Sequence, residues 1–190
     1  MNTKTRCSWC LSDPLYIDYH DTEWGVPRRD EQKLFEFLIL ETFQAGLSWI
    51  TVLKKRENFR AAFDGFDYNK IAKYNDVKQE ALINDSGIIR NRLKIRATIS
   101  NAKAFLKVQE LEGSFSKYIW GFVDGKPIQN AFTSSNEVPA ITPLAEKISK
   151  DLKERNFKFI GPTVVYAYMQ ATGMVNDHVI DCFRYKEVQN

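Results

Sequence analysis

The chain has 190 residues, of which 44% are hydrophobic and 27% charged, and its formal net charge is +3. This composition excludes a disordered chain, and the length suits a single domain spanning residues 1–190. No apolar run reaches the roughly 18 residues of a membrane span, and the N-terminus lacks the apolar region of a secretory signal. We therefore expect a cytoplasmic protein without a membrane partner. The charge permits a nucleic-acid partner without requiring one.

Helix signals dominate the N-terminal half. Asp30 is a suitable N-cap for a helix over residues 31–43, whose apolar side chains fall on every side and predict burial nearly all round. A second helix is predicted over residues 48–63, with several basic residues on its polar side.

Capping chemistry predicts the next elements. Asp76 and Gln79 fit a capping box for a helix that ends near Asn84, and Gly87 is placed to stop that helix in a left-handed turn. Residues 88–107 are then predicted to form either one long basic helix or a turn followed by a helix.

The C-terminal half continues the pattern. Thr142 before a proline opens a helix over residues 143–156, and a further helix begins after Gly161 and ends at Gly173. Residues 124–140 lack periodicity and are predicted to form a surface loop. Because no segment alternates convincingly as a strand would, the predicted fold class is all-α.

The cysteines and histidines suggest a metal site. Cys7 and His20 lie near one end of the chain, and His178 and Cys182 lie near the other with a spacing that on a helix would place both on one face. Four such ligands with no open position are typical of a structural zinc ion. Cys10 leaves the ligand set open, because Cys7 and Cys10 also form a common zinc half-site. The alternative is a buried thiol and two ordinary histidines.

A second constellation combines aromatic side chains with an acid. Glu41 follows Leu34, Phe37 and Leu38 at helical spacing and thus falls on an apolar stripe. Burial of a carboxylate is costly without a partner, so Glu41 is a candidate site residue unless a Lys or Arg pairs with it. A flat cationic ligand would satisfy both the acid and a cage of rings. The candidate rings, each of which could instead be ordinary core, are Trp9, Tyr16, Tyr19, Trp24 and Trp49.

A phosphate-binding element is the third candidate. Gly161 precedes a helix N-terminus, where backbone N–H groups and the helix dipole favour an anion. A short helix, a glycine turn and a second helix would form a helix-hairpin-helix clamp, although a simple capping role explains the same residues. A nearby basic run is consistent with a phosphate partner. Its members are Arg90, Arg92, Lys94 and Arg96.

Taken together, these residues resemble a known family, the constitutive 3-methyladenine DNA glycosylase I of bacteria. The resemblance extends from about Cys7 to Cys182. It rests on the stretches DPLYIDYHDTEWGVP, QAGLSWITVLKKRENFRAAF, GIIRNRLKI, FKFIGPTVVYAYMQATG and VNDHVIDC.

The resemblance implies one DNA glycosylase domain of the helix-hairpin-helix superfamily. It implies a structural Zn²⁺ held by Cys7, His20, His178 and Cys182, with Cys10 outside the ligand set. It also implies a base pocket in which Glu41 contacts the methylated purine. Two rings, Tyr16 and Trp49, would enclose the base, and the pocket would be lined or supported by Trp9, Tyr19 and Trp24.

For the DNA itself, the resemblance implies contacts from two loops. Gly46 and Leu47 match the segment that fills the gap left in the duplex, and Phe159, Ile160 and Gly161 match the phosphate-binding hairpin. The implied activity is excision of 3-methyladenine from double-stranded alkylated DNA by a monomer that leaves an abasic site and has no lyase activity. The alternative is a zinc-containing protein that binds damaged DNA without catalysis.

One departure concerns the wider superfamily. Other helix-hairpin-helix glycosylases, such as endonuclease III, carry a catalytic aspartate in a V-D-x-H context, where this chain has Asn176. Asp177 is one residue away, and we expect it to be a surface acid or one beside the His178 ligand.

Overall fold

The computed structural model describes residues 4–189 and is mostly helical in that range. Two-residue strands, β1 (Ile128–Gln129) and β2 (Val175–Asn176), form one parallel bridge. The helices are α1 (Pro14–Thr22), α2 (Glu31–Gln44), α3 (Trp49–Leu53), α4 (Arg56–Ala62), α5 (Tyr68–Ile71), α6 (Asp76–Asn84), α7 (Arg92–Glu112), α8 (Phe115–Gly121), α9 (Pro143–Glu154), α10 (Pro162–Ala171) and α11 (Phe183–Glu187). Short 3₁₀ turns lie at Ser8–Cys10, Asp64–Phe66 and Ser135–Glu137.

Helix α2 lies at the centre of the fold. It packs against α3, α7, α8 and α10, and every residue from Leu34 to Phe43 is buried. The Asp30 carboxylate accepts a hydrogen bond from the Lys33 N–H at 2.9 Å and begins the helix. The predicted cap and the predicted all-round burial are both confirmed. This central position carries Glu41 into the protein interior.

The predicted boundaries of α9 and α10 are also confirmed to within a turn. The Thr142 hydroxyl accepts from the Ala145 N–H at 3.2 Å. Beyond the end of α10, Gly173 adopts a φ of +70°, and a Cβ there would lie 2.4 Å from backbone atoms of Val26 and Pro27. Only glycine fits this left-handed, closely approached position.

Two predictions around α6 are wrong. The N-cap is Asn75, whose side chain accepts from the Lys78 N–H, so Asp76 is the first helical residue rather than the cap. Gly87 does not adopt a positive φ, because the chain leaves α6 through an extended Asp85 instead of a left-handed turn. The Asp85 carboxylate then accepts from the Gly87 N–H at 2.7 Å.

Other elements differ in detail from the prediction. Residues 48–63 form two helices, α3 and α4, that are separated at Lys54 and Lys55. Residues 88–107 follow the turn-plus-helix alternative, since the Asn91 side chain caps α7. The predicted loop over residues 124–140 contains β1, which is too short to show an alternating pattern.

Sequence reasoning also missed α1, although Asp13-Pro14 is a good signal for its start. The Asp13 side chain accepts from the Leu15 N–H at 2.9 Å. Among the helices within residues 4–189, none is both long and apolar enough to cross a membrane.

Candidate active site and metal centre

A cavity of about 320 Å³ opens between the N-terminal segment, α2 and α10. The six pocket residues expected from the sequence all line it. Sequence reasoning missed its other wall, which includes residues of α10, the loop after β1 and the residue after β2. The full lining is Trp9, Tyr16, Tyr19, Trp24, Glu41, Gln44, Trp49, Ser135, Val138, Pro139, Ala167, Gln170 and Asp177.

Local structure explains how the rings meet. Tyr16 and Tyr19 lie three residues apart on α1 and so share a face of that helix. Trp9 contacts Tyr16 edge-on with ring centroids 4.8 Å apart, and Trp49, the first residue of α3, lies 5.4 Å from the Tyr19 ring. The rings hold one another in fixed orientations along the cavity wall.

Glu41 is the unusual acid of this cavity. It is 3% exposed, and within residues 4–189 no group hydrogen-bonds its Oε2 atom. Burial raises the pKa of its carboxyl group to about 8. The Trp49 indole N–H is likewise buried without a partner in the described chain. Because buried polar groups are nearly always paired, this acid and this donor mark a place for a polar ligand.

Asp177 is a second carboxylate of the cavity wall. It is 2% exposed, so of the two expected positions the surface one is wrong, and Asp177 is a buried acid directly before His178. Asn130 donates to its Oδ1 atom at 2.6 Å, and Tyr166 and Gln170 donate to its Oδ2 atom at 2.7 and 2.8 Å. The side chain of the preceding residue, Asn176, does not line the cavity.

The Asn176 side chain serves the β1–β2 bridge. Its amide donates to the Gln129 side chain at 2.8 Å and to the Tyr185 carbonyl at 3.0 Å. Asn176, which aligns with the aspartate of the wider superfamily, therefore stabilises the β1–β2 bridge. The next residue, Asp177, lines the cavity.

Beside the cavity, the structure brings together Cys7, His20, His178 and Cys182, all of them buried. Their ligand atoms lie within 4.8 Å of one another, and the Cys182 Sγ atom is 3.5 Å from both His20 Nε2 and His178 Nδ1. A tetrahedral ion with bonds of about 2.1–2.3 Å separates neighbouring donors by about 3.6 Å. The group is thus shaped to bind one metal ion with no open position.

Hydrogen bonds fix both imidazoles for this role. His20 Nδ1 donates to the Asp21 carboxylate at 2.8 Å, and that carboxylate also pairs with Arg6 at 2.7 Å. His178 Nε2 donates to the Trp24 carbonyl at 3.1 Å. With these nitrogens bound elsewhere, His20 Nε2 and His178 Nδ1 are the ring atoms directed at the cluster.

Cys10 lies outside the group. Its thiol donates to the Cys7 carbonyl at 3.2 Å, and its sulfur is not one of the four mutually close ligand atoms. The helical interpretation of the His178–Cys182 spacing is wrong, since Cys182 is the N-cap of α11 and the residues before it form a turn. The turn brings His178 and Cys182 into the same metal-binding group without a helix.

The loop between α2 and α3 carries the two residues expected to enter the duplex. Gly46 has a φ of +84°, and Leu47 is 43% exposed. Lys94 stabilises the start of this loop, because its ammonium donates to the carbonyls of Phe43 at 2.9 Å and Ala45 at 2.6 Å. Lys94 is therefore buried, and its inclusion in a basic DNA-facing run is wrong.

The loop between α9 and α10 contains the residues that were expected to bind phosphate. Phe159 is 41% exposed with a φ of +56°, whereas the Ile160 side chain is buried and its carbonyl accepts from Ser149 at 2.6 Å. Gly161 is the N-cap of α10. The Asn101 side chain fixes this loop through two hydrogen bonds to the Lys158 backbone. Its amide nitrogen donates to the Lys158 carbonyl at 3.1 Å, and its amide oxygen accepts from the Lys158 N–H at 2.7 Å.

The loop between α2 and α3 meets the first turn of α10 beside the aromatic cavity. A smaller cavity of about 180 Å³ is lined by Gly46 and Leu47 from one loop and by Thr163 and Val164 from the first turn of α10. Glu41, Gln44 and Ala167 line both cavities. The α2–α3 loop, the first turn of α10 and the buried acid thus form one continuous site.

The fold and site define a helical protein with an aromatic, acid-containing cavity and a Cys₂His₂ group close enough to bind a metal ion. The family model for methyladenine glycosylase matches residues 9–185. The chain belongs to this family.

Similarity to individual proteins agrees with this membership. The chain is 51% identical to DNA-3-methyladenine glycosylase 1 of Escherichia coli K12 over 180 residues, which is 95% of this chain and 96% of that protein. A crystal structure of 3-methyladenine DNA glycosylase I superposes with a TM-score of 0.92 at 52% identity, covering 94% and 98% of the two chains. A crystal structure of a tyrosine-to-phenylalanine variant of 3-methyladenine DNA glycosylase I in complex with 3-methyladenine superposes with a TM-score of 0.91 at 36% identity. The match covers 94% of this chain and 96% of that chain.

Proposed function

We propose that this enzyme, a glycosylase that hydrolyses N-glycosyl bonds, removes 3-methyladenine from double-stranded DNA as a step of base excision repair. The main observation in support of this proposal is the buried, unpartnered Glu41 carboxyl group inside a cage of aromatic rings. An adenine methylated at N3 in DNA is flat and positively charged, so it supplies both the stacking surface and the partner that this cavity lacks. Relatives carrying the name of this activity support the same assignment.

The base must leave the duplex to reach the cavity. Unstacking and unpairing cost a few kcal/mol, and less for a damaged base. In our proposal Leu47 enters the gap from its exposed loop, while Gly161 and the first turn of α10 bind the phosphate backbone through their N–H groups. Phe159, exposed beside Gly161, contacts the DNA, and Ile160 shapes the hairpin from within.

Cleavage then needs little acid catalysis. The bond between C1′ and the base breaks with its electron pair moving to the cationic purine, which departs neutral. Water adds to the positively charged sugar carbon and loses a proton, which leaves an abasic site. Glu41 accepts a hydrogen bond from the adenine amine, while Tyr16 and Trp49 enclose the ring, with support from Trp9, Tyr19 and Trp24. Within residues 4–189 no lysine lines the cavity, which supports hydrolysis without lyase activity.

For the metal group we propose a structural zinc ion. Two thiols and two imidazoles are the donor set zinc prefers, and they join the N-terminal segment to the C-terminal one. Zinc bound there would stabilise the segment that carries Trp9 and Tyr16. Elemental analysis of protein purified without added metal should show one zinc per chain. His20→Ala should lose it and Cys10→Ser should keep it, and the opposite result would overturn the ligand set.

Chromatography of the bases released from methylated duplex DNA tests the proposed function. We expect 3-methyladenine and an abasic strand, with the protein acting as a monomer in the cytoplasm. Binding to methylated DNA without release of any base would instead establish a non-catalytic damage-binding protein.

A further inference from the structure

A buried lysine contacts the loop between α2 and α3. Lys94 lies on α7 and is 6% exposed, and its ammonium group donates to the Phe43 carbonyl at 2.9 Å and to the Ala45 carbonyl at 2.6 Å. Within residues 4–189 no carboxylate pairs with it, and burial lowers the pKa of the ammonium group. Burial of a charge without a counter-charge is costly, so two carbonyl partners at the end of α2 call for an explanation.

The two carbonyls belong to a turn whose shape depends on one peptide group. Ala45 has a φ of −48° and a ψ of 115°, Gly46 has a φ of +84°, and the Leu47 N–H donates to the Gln44 carbonyl at 2.6 Å. These features define a type II turn over residues 44–47. A type I turn differs from it mainly in the orientation of the central peptide group, which here joins Ala45 to Gly46. Glycine at the third position of the turn permits both orientations.

Lys94 holds this peptide group in the type II orientation. The oxygen of the group is the Ala45 carbonyl, so a rotation to the type I orientation would carry it away from the ammonium group. That rotation is unfavourable because it would leave a buried charged donor with one partner fewer. Leu47 is the last residue of the turn, so the same hydrogen bond sets the direction in which its exposed side chain leaves the protein.

We propose that Lys94 is a positioning residue for the entry of Leu47 into the duplex. This inference rests on the proposed function, in which Leu47 fills the gap left by the extruded base. The last turn of α2 carries Glu41 in the cavity wall, and Leu47 follows directly after that helix. Lys94 thus fixes the gap-filling residue relative to the base pocket before DNA binds. A loop already held in its bound conformation loses less conformational entropy on binding, which raises affinity.

The test compares the affinities of the protein for two duplexes and for the free base. One duplex contains a tetrahydrofuran abasic site, whose gap Leu47 can fill, and the other duplex is intact. The parent protein should prefer the abasic duplex, and Lys94→Met should reduce that preference by about tenfold, because the loop must then be ordered during binding. The affinity for free 3-methyladenine, which needs only the cavity, should stay at the parent value.

Lys103→Met is the matched control. It removes an exposed lysine from the same helix, so it changes the net charge by the same amount without touching the loop. The preference for the abasic duplex should stay at the parent value in this variant. An equal loss of preference in Lys103→Met and Lys94→Met would show that charge alone matters, and the inference would be overturned.

A double variant separates positioning of Leu47 from general support of the fold. Leu47→Ala should itself reduce the preference for the abasic duplex. If Lys94 acts through Leu47, adding Lys94→Met to Leu47→Ala should reduce the preference no further. A full additional loss in the double variant would overturn the inference. An unchanged preference in Lys94→Met alone, or an equal loss of affinity for the free base, would also overturn it.

Lys94→Gln takes the place of the methionine variant if that variant does not melt cooperatively. Glutamine keeps an N–H donor on a shorter, uncharged side chain, and the same loss of preference is expected. Failure of both variants to fold would make Lys94 a purely structural residue and overturn the inference. If the parent protein releases no base from methylated DNA, the proposed function fails instead. An active parent protein without a preference for the abasic duplex would overturn the inference alone.

Discussion

Two glutamates on α2, Glu36 and Glu41, are both almost completely buried, and they have opposite surroundings. Desolvation raises the pKa of Glu36, but ion pairs with Arg56 and Arg60 outweigh it and lower the pKa overall. Those pairs are short, at 2.7 Å and 2.6 Å. Glu41 has desolvation alone, and its pKa rises to about 8.

The difference separates a stabilising acid from a functional one. Glu36 joins α2 to α4 through Arg56, which also pairs with Glu23 at 2.7 Å. Glu41 makes no such connection and faces the cavity. The burial of an acid with charged partners is accounted for by the ion pairs that it makes within the fold. The burial of an acid without partners indicates a site where a ligand supplies the missing partner.

The largest effect should come from removing the partnered acid. Glu36→Gln leaves the buried Arg56 with Glu23 as its one remaining carboxylate partner and removes the ion pair between Glu36 and Arg60. We therefore expect a loss of about 3 kcal/mol in the free energy of unfolding, the lower end of the range for breaking a buried pair. Urea titrations of this variant and of Glu41→Gln measured together would check the contrast. Equal destabilisation by the two substitutions would show that Glu41 is also a structural acid.

The pH dependence of stability should have opposite signs for the two acids. Because the folded-state pKa of Glu41 is raised, the folded protein keeps a proton that the unfolded chain loses, and stability falls by a few kcal/mol as pH rises from about 4.5 to about 8. The lowered pKa of Glu36 contributes stability that is lost as pH falls below its unfolded value of about 4.5. Glu41→Gln should flatten the first slope and leave the second unchanged in thermal melts across pH.

Catalysis should depend on the unpartnered acid. Glu41→Gln keeps the side-chain shape but turns one oxygen into a donor that faces the adenine amine. A lost hydrogen bond to a charged group is worth about 1.5–3 kcal/mol, so excision of 3-methyladenine should slow by roughly tenfold to a hundredfold with the fold intact. Excision at the parent rate would mean that another group in the cavity binds the base.

A smaller effect is expected from the ring beside Glu41. Trp49→Ala removes a stacking face, and base–aromatic stacking is worth about 1–3 kcal/mol. Binding of free 3-methyladenine, followed by calorimetry, should weaken accordingly. If instead the melting temperature falls sharply while the affinity of the remaining folded protein is unchanged, Trp49 is core rather than cavity wall.

Much of the helical framework could be predicted from local chemistry. The cap at Asp30, the Thr142-Pro143 start and the Gly173 stop depend on residues within a turn of one another, so the sequence alone is sufficient. The position of Glu41 on an apolar stripe followed from the same periodicity. Spacing and aromatic density already named the candidate metal ligands and rings; the family resemblance left Cys10 out of the ligand set and assigned each ring a role.

Other features depend on groups far apart in the chain. Lys94 is buried because the carbonyls of Phe43 and Ala45 bind its ammonium, and a basic run in the sequence gives no sign of that. Cys10 is separated from the metal group by a turn that directs its thiol to a carbonyl. Asp177 lines the cavity because the β1–β2 bridge occupies Asn176. Sequence spacing predicts contacts along one helix, but which side chain enters a cavity depends on the long-range hydrogen bonds that orient its backbone, and only the tertiary structure contains them.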